Sequence, residues 1–396
     1  MARPSPGRPV PGRALRPVTG LGGAVGLVGL LLAAAGWWLG WVEVTVVGAV
    51  LLAAVAVAGL LTLGRSTYRV DLTLSEHRVT VGQRAVGRIV VTSSSSRRLL
   101  PAQIELPVGN GAADFHLPSL GPGASHEDVF AIPTAHRAVI AVGPVRSVRG
   151  DPLGLLRRRI QWTDPVDLYV HPRLVPLGGA ASGVLRDLEG QATRVVSDSD
   201  MSFHALRDYV AGDDRRHIHW KSTARIGALM VRQFEDTRRT HTAIALSTSA
   251  EDFADADEFE LAVSVAASVG VQALRDQREV TVLAGTGRLR TRTPALLLDD
   301  CSGLDLGAGR GSTYLAQWVT QEAPDASAAV LVTGTLPARA DLRARAARIP
   351  VGVRTVILTC SPGADVEVAT QGSLSFAQIG SLHDLPRVLR RVVRSA

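Results

Sequence analysis

Two apolar runs without a charged residue, Val18 to Leu39 and Val44 to Leu63, constrain this chain more than any other feature. A helix rises about 1.5 Å per residue, so roughly twenty such residues cross the roughly 30 Å hydrocarbon layer of a bilayer. Both runs therefore read as spanning helices. Trp37, Trp38 and Trp41 lie at their junction with Gly40 and Glu43, where indole rings favour the headgroup layer. A cleaved signal peptide competes for the first run, because arginines precede it. The run is long, however, no small-residue cleavage site stands out, and a second run follows at once, so an uncleaved hairpin is expected. Arg3, Arg8, Arg13 and Arg16 precede the first run, Arg65 and Arg69 follow the second, and the loop between has no basic residue. That asymmetry predicts a two-pass protein of the inner (plasma) membrane, in contact with its lipid, with both termini cytoplasmic.

The four tail arginines account for much of the formal net charge of +7, which leaves the remaining chain only mildly basic. A nucleic-acid partner is not expected, since a phosphate-tracking surface needs an uncompensated basic stripe. Cys301 and Cys360 are the only cysteines, and their spacing fits neither a metal site nor a redox motif. They suit a reducing compartment. A length of 396 residues leaves room for two or three domains beyond the hairpin.

From Tyr68 to about Leu177 apolar and polar residues alternate in short runs: Arg69 to Leu74, Ala85 to Val91, Gln103 to Leu106, Ala138 to Val142. Alternation broken by turn residues predicts an antiparallel β-sandwich. Asp151-Pro-Leu-Gly154 reads as a turn closing it, and the Arg149-Gly-Asp151 triplet carries no adhesive meaning in a cytoplasmic domain. From His241 onward strand-like and helix-like runs alternate. Strands are expected at Thr242–Leu246, Val280–Leu283, Ala329–Thr333 and Val353–Thr359, with helices around Phe259–Leu274, Leu342–Ala347 and Leu385–Val393. Such alternation means βαβ units and a parallel sheet covered on both faces. Ligands of these sheets sit at the carboxyl ends of strands, here the loop Ser247-Thr-Ser-Ala-Glu251. Ser247, Ser249 and Glu251 could hold a divalent ion, but no second acidic loop completes the shell, and a loop with an N-cap is the expected reading.

The densest stretch in reactive side chains is Leu206 to Glu235. It carries Arg207, Tyr209, Asp213, Asp214, Arg216, His217, His219, Trp220, Lys221 and Arg225, with Gly212 in a turn. Asp213 or Asp214 is an acceptable N-cap for a short helix behind it. Trp220 and Tyr209 read as core side chains. The acids and arginines suit bidentate pairs that tie domains together. Three other uses remain open: an ion held by Asp213, Asp214, His217 and His219, an acidic ligand held by the arginines, or a protein partner. Histidines two apart share a face only on a strand, and the carboxylates are few, so no metal and no cofactor is expected.

Taken together, Phe203, Leu206-Arg-Asp-Tyr209, Gly212-Asp-Asp214, Arg216, Ile218, His219-Trp-Lys-Ser-Thr-Ala-Arg225, Gly227, Leu229, Val231 and Phe234-Glu235 resemble the signature of the bacterial domain of unknown function 58 family. Gly143-Pro144, Asp151 to Leu155, Val170 to Arg173 and the double-spanning start resemble it too. The resemblance implies a multidomain chain. Its parts would be a basic cytoplasmic tail at 1–17, two transmembrane helices at 18–64, an Ig-like β-sandwich at 65–177, the signature segment at 178–240, and a von Willebrand factor A-like, Rossmann-like α/β domain at 241–396. It implies no established catalysis. Proteins of this kind are often encoded beside a MoxR-type AAA+ ATPase and other membrane proteins, and are associated with chaperone-like or envelope-assembly roles. Metal-binding von Willebrand A domains usually carry Asp-x-Ser-x-Ser after the first strand, and the leading aspartate and final serine are missing here. The expectation is thus a non-enzymatic scaffold or adaptor, with Arg207, Tyr209, Gly212, Asp213, Asp214, Arg216, His219, Trp220 and Arg225 as an internal latch or a docking surface. The alternatives are a metal-dependent hydrolase or nuclease using Asp213, Asp214 and His219, and a regulatory domain that binds an acidic ligand.

Overall fold

The computed structural model describes residues 13–14, 19–62, 68–99, 101–151, 153–178, 202–210, 213–235, 241–307 and 309–394. They fall into two compact units, Met1–His171 and Pro172–Ala396.

The first unit begins with a two-residue strand β1 (Arg13–Ala14), then helices α1 (Gly20–Leu39) and α2 (Val42–Thr62). Thr19 starts α1, its hydroxyl accepting from Gly22 N at 3.0 Å, and Gly40 ends it in the left-handed conformation at φ 71°. A side chain other than glycine is strained there, which is why the reversal falls at this residue. The two helices pack backbone to backbone. A Cβ added to Gly48 would lie 2.4 Å from Ala33 N, and one added to Gly36 2.5 Å from Thr45 N, so only glycine fits at either place. Both helices are long and apolar enough to cross a membrane, and little of either is buried. Leu30, Leu31, Trp37, Trp38, Val46 and Val50 all face outward.

Strands β2 (Tyr68–Leu74), β3 (Arg78–Thr80), β4 (Ala85–Ser93), β5 (Ala102–Val108), β6 (Gly111–Leu117), β7 (Ser125–Ile132), β8 (Ala138–Val142), β9 (Arg146–Gly150), β10 (Arg157–Gln161) and β11 (Val166–His171) follow. β2, β4 and β7 form a three-stranded antiparallel sheet, and the others an eight-stranded sheet in the order β1-β10-β9-β5-β8-β11-β3 with β6 on β5. Strand periodicity decides which side chains turn inward. In β4, Ala85, Ile89 and Val91 are buried while Val86 and Arg88 between them are exposed. Tyr68, Ile89 and Val91 of the smaller sheet share one core with Ile104, Leu106, Leu168 and Val170 of the larger. The turn before β10 is held by the Asp151 carboxylate, which accepts from Leu153 N at 2.9 Å and Leu156 N at 2.6 Å. The Leu156 bond is the main reason the Asp151 carboxyl titrates below its ordinary value. Pro152, expected to shape this turn, lies outside the described residues.

Among the described residues of the second unit, the first strands form a hairpin of β12 (Ser202–Asp208) and β13 (Met230–Glu235), with the short helix α3 (Trp220–Ile226) between them. The α/β portion then runs β14 (His241–Leu246), α4 (Ala256–Arg275), β15 (Glu279–Ala284), β16 (Gly287–Arg288), α5 (Pro294–Ser302), α6 (Ser312–Glu322), β17 (Ala328–Thr333), α7 (Arg339–Ala346), β18 (Arg354–Cys360), β19 (Val368–Gln371), β20 (Leu374–Ile379) and α8 (Leu385–Arg394). The sheet order is β16-β15-β14-β17-β18-β20-β19; the five inner strands are parallel, and β16 and β19 run antiparallel at the two edges.

All six residues of β14 and of β17 are buried, as a sheet covered on both faces requires. Ile244 and Leu246 point into one core with Phe259 and Val263 of α4, Leu297 of α5 and Val388 of α8. Ala243 and Ala245 point the other way, against Leu315 and Trp318 of α6 and Leu342 of α7. The expected strands and helices of this portion are present within a few residues, while β16, α5, α6, β19 and β20 go beyond the expectation. Cys301 and Cys360 are both buried, and burial pushes the Cys360 thiol up, so it stays protonated.

Candidate functional site

The signature segment folds around its own hydrogen bonds. Arg207, on β12, makes a bidentate pair with Asp213, Nη1 to Oδ2 at 2.8 Å and Nη2 to Oδ1 at 2.6 Å. The same carboxylate accepts from Val210 N at 2.9 Å and so closes the loop that leads out of the strand. Asp214 accepts from Arg216 N at 2.9 Å and caps the single 3-10 turn Arg215–His217. His219 caps α3, its Nδ1 lying 2.8 Å from Ser222 Oγ, and its backbone N–H bonds Met230 O at 2.8 Å. Thr223 Oγ1 accepts from Met230 N at 3.0 Å, and Gly227 ends α3 at φ 80°. These bonds clip α3 to β13 over the buried Ile218, Met230 and Val231.

Asp213, Asp214 and His219 are thus each engaged by close sequence neighbours, and they form no convergent group of metal donors among the described residues. Arg207, Arg216 and Arg225 are exposed, Tyr209 is half-buried, and Gly212 lies outside the described residues. Trp220 corrects the sequence reading. Expected in the core, it is 66% exposed, with exposed Val210, Ile226 and Leu229 in the same segment. A seven-residue helix is too short to bury a face: none of its residues is buried, Ser222 and Thr223 are half-buried on the side toward β13, and an indole at its first position is left outside.

The Arg207 pair, followed by the Val210 bond, holds the Asp213 carboxyl below the usual carboxylate range. Its contribution is therefore complete above the unfolded value of about 3.9 and is lost as pH falls through the lower folded value. Stability between about pH 5 and pH 3 is expected to fall less steeply in Asp213→Asn than in the parent chain. Urea titrations at a series of pH values test this, and equal slopes would refute it.

A second cluster lies at the carboxyl ends of the parallel strands. Taken in chain order, the five parallel strands are arranged 2-1-3-4-5, and the order reverses between β14 and β17. That switch point is where open α/β sheets leave a crevice. Here Ser247 donates to Asp252, which also accepts from Ser312 N at 2.5 Å and from Ser312 Oγ at 2.7 Å. Asp252 is 6% exposed, whereas Glu251 points to solvent. Ser249 caps the 3-10 turn Ala250–Asp252, and that turn swings Asp252 inward. Beside it Glu258 accepts from Ala254 N at 3.0 Å, Thr335 N at 3.2 Å and Thr335 Oγ1 at 2.6 Å. Of Ser247, Ser249 and Glu251, then, Ser247 is the one whose hydroxyl bonds a buried carboxylate, that of Asp252. The available signal was the acid one position beyond an alternating Ser-x-Ser-x-Glu pattern.

A family profile described as "Protein of unknown function DUF58" matches residues 205–297, which take in most of the hairpin, the Ser247 loop, Asp252 and Glu258. Over that stretch the chain is similar to this family. No curated protein matches the chain. Solved structures with partial likeness include the CARDB domain of a Pyrococcus furiosus protein in complex with di-metal ions, at 10% identity and a TM-score of 0.21 over 26% of this chain and 93% of that one. The C-terminal domain of wzt matches at 10% identity and 0.23 over 28% and 77%. A mutant β-glucosidase from Listeria innocua matches at 10% identity and 0.20 over 29% and 18%. Likenesses this distant carry no argument about fold or role.

Proposed function

We propose that this chain is a membrane-anchored, non-enzymatic scaffold or adaptor whose signature segment docks a protein partner. The observation that carries the reading is the exposed indole of Trp220, flanked in the same segment by exposed Val210, Ile226 and Leu229 and by Arg207 and Arg225. Tryptophan and arginine dominate the energetics of protein interfaces, and taking a cluster of exposed apolar side chains out of water on association is favourable. The same argument applied to α1 and α2, apolar and little buried, supports a two-pass anchor in the inner (plasma) membrane with both termini cytoplasmic. We read the two sheets of the first unit as an Ig-like β-sandwich. The parallel sheet with its antiparallel edge strands is read as a von Willebrand factor A-like domain. The family resemblance points to a MoxR-type AAA+ ATPase as the partner, in a chaperone-like or envelope-assembly system.

Crosslinking and pull-down of the full chain from native membranes tests the reading, with Trp220→Ala and Arg225→Ala beside the parent. Because both side chains are exposed, the variants should keep stability within about 0.5 kcal/mol. Loss of the Trp220 anchor should weaken the complex by about 2 kcal/mol, roughly thirtyfold. Recovery of an AAA+ ATPase with the parent alone is the expected result. Equal recovery with all three chains would remove the signature segment from the interface.

A further inference from the structure

At the opposite end of the parallel sheet from the Ser247 loop, three donors meet that belong to neither site above. His241 opens β14 and Glu279 opens β15, and the two are register partners in the parallel ladder. Asp325 stands in the turn just ahead of β17, the strand on the other side of β14. Two adjacent strands and the turn ahead of a third therefore each deliver one ligand-type side chain to a single point, and their donor atoms all lie within 4.8 Å of one another.

His241 is the informative member. It is 4% exposed, and its Nε2 lies 3.0 Å from Oγ1 of Thr281, which is fully buried. Thr281 sits two positions along β15 from Glu279, on the same face, as strand periodicity demands. Asp325 Oδ1 is 3.1 Å from His241 Nδ1, yet it lies off the direction of a good hydrogen bond, so this buried nitrogen makes none. In the tautomer that donates Nε2–H to Thr281 Oγ1, the one a metal at Nδ1 requires, the Nδ1 lone pair faces two carboxylates. Three electron-rich donors at that spacing repel unless a cation lies among them. Two donors each about 2.1 Å from one ion, at an octahedral to tetrahedral angle, stand about 3.0–3.4 Å apart, and the His241–Asp325 separation falls in that range.

We propose that His241, Glu279 and Asp325 bind a divalent first-row transition metal of the zinc class. Thr281 is the positioning residue that fixes the imidazole tautomer, the usual role of an outer partner to a ligating histidine. One imidazole and two carboxylates suit zinc better than calcium, which prefers an all-oxygen shell of higher number. Both carboxylates are exposed, so an ion has an entry path, and water completes the coordination. Bound there, the ion cross-links the amino ends of β14, β15 and the β17 turn and stabilises the α/β portion.

The test uses the purified full-length chain in detergent, stripped with a chelator and titrated with Zn²⁺ alone. Metal analysis after desalting, calorimetry and thermal unfolding are the readouts. One zinc per chain is expected, with an upward shift in Tm of about 5 °C at saturating metal. Glu279→Gln and Asp325→Asn change exposed carboxylates and leave the fold intact; each should weaken zinc at least tenfold and abolish the Tm shift. Thr281→Val should weaken it about 10-fold to 100-fold, since an outer partner is lost. With Co²⁺ in place of zinc, the visible absorption bands should change in Asp325→Asn. Absence of stoichiometric zinc would overturn the proposal and leave a simple contact between a buried imidazole and a surface carboxylate. Zinc held equally by the parent and a Glu279→Gln, Asp325→Asn double variant would overturn it as well, because the ion would then sit on other histidines.

Discussion

Asp252→Ala is expected to lower the stability of the α/β portion by about 3 kcal/mol or more, among the largest losses available to a single side chain in this protein. The carboxylate takes bonds from Ser247 Oγ, Ser312 N and Ser312 Oγ, and it is almost wholly shielded from water. Alanine leaves three buried donors without a partner, at about 1–3 kcal/mol each before any water enters to relieve them. It also disconnects the start of α6 from the loop after β14. Asp252→Asn keeps acceptor capacity at one oxygen and should lose less than half as much. Urea unfolding followed by the emission of Trp318 reports it, since that indole is buried in α6, six residues beyond Ser312. A loss below about 1 kcal/mol for the alanine variant would mean that the cluster does not tie the two loops together.

The second large effect is expected in the helical hairpin. Gly48→Val places a branched side chain where the nearest atoms are backbone, Ala33 N at 2.4 Å and Gly29 O at 2.8 Å from the added Cβ alone. Backbone atoms cannot rotate away, so α1 and α2 must separate. The loss is about 2 kcal/mol, the usual scale of overpacking, with small residues being what permits such close helix contacts. Gly26→Val is the control, because a Cβ there meets nothing within 4 Å. Thermal unfolding in detergent should separate the two variants clearly. Equal behaviour would show that the helices do not rely on this contact.

How far these features could be read from the residues alone differs by element. α1 and α2 were legible, because charge-free runs of that length have few other destinations. The inner strands β14, β15, β17 and β18 were legible for a related reason: strands buried on both faces are unbroken apolar runs. α6 was not, since Ser312 to Glu322 mixes polar and apolar residues, and its apolar stripe needs the sheet face to make sense of it. α5 did carry a signal, Thr293 followed by Pro294, a cap and a first-turn proline.

In the signature segment the acid–arginine chemistry was legible and the pairing was not. Arg207 with Asp213 is one of several combinations that residue types allow, and the loop closed by Val210 selects it. In sequence Asp252 is one of several acids ahead of a helix, and an alternating Ser-x-Ser-x-Glu pattern singles out Glu251, whereas a 3-10 turn advances the inward position by one residue. Trp220 is large and apolar, but those properties favour the core only where an element is long enough to have an inner face, which the seven-residue α3 is not.

The seven-stranded sheet ends on both sides in antiparallel strands, β16 of two residues and β19 of four. A long flat parallel edge would offer a row of free N–H and C=O groups to any neighbouring chain. Strands so short, turned against the direction of the sheet, give an incoming chain little to pair with. For molecules crowded in two dimensions by an anchor of the kind proposed, this matters more than in free solution. Self-association by strand addition is discouraged at the sheet's two borders, and under the proposed role recognition falls to side-chain surfaces such as that around Trp220.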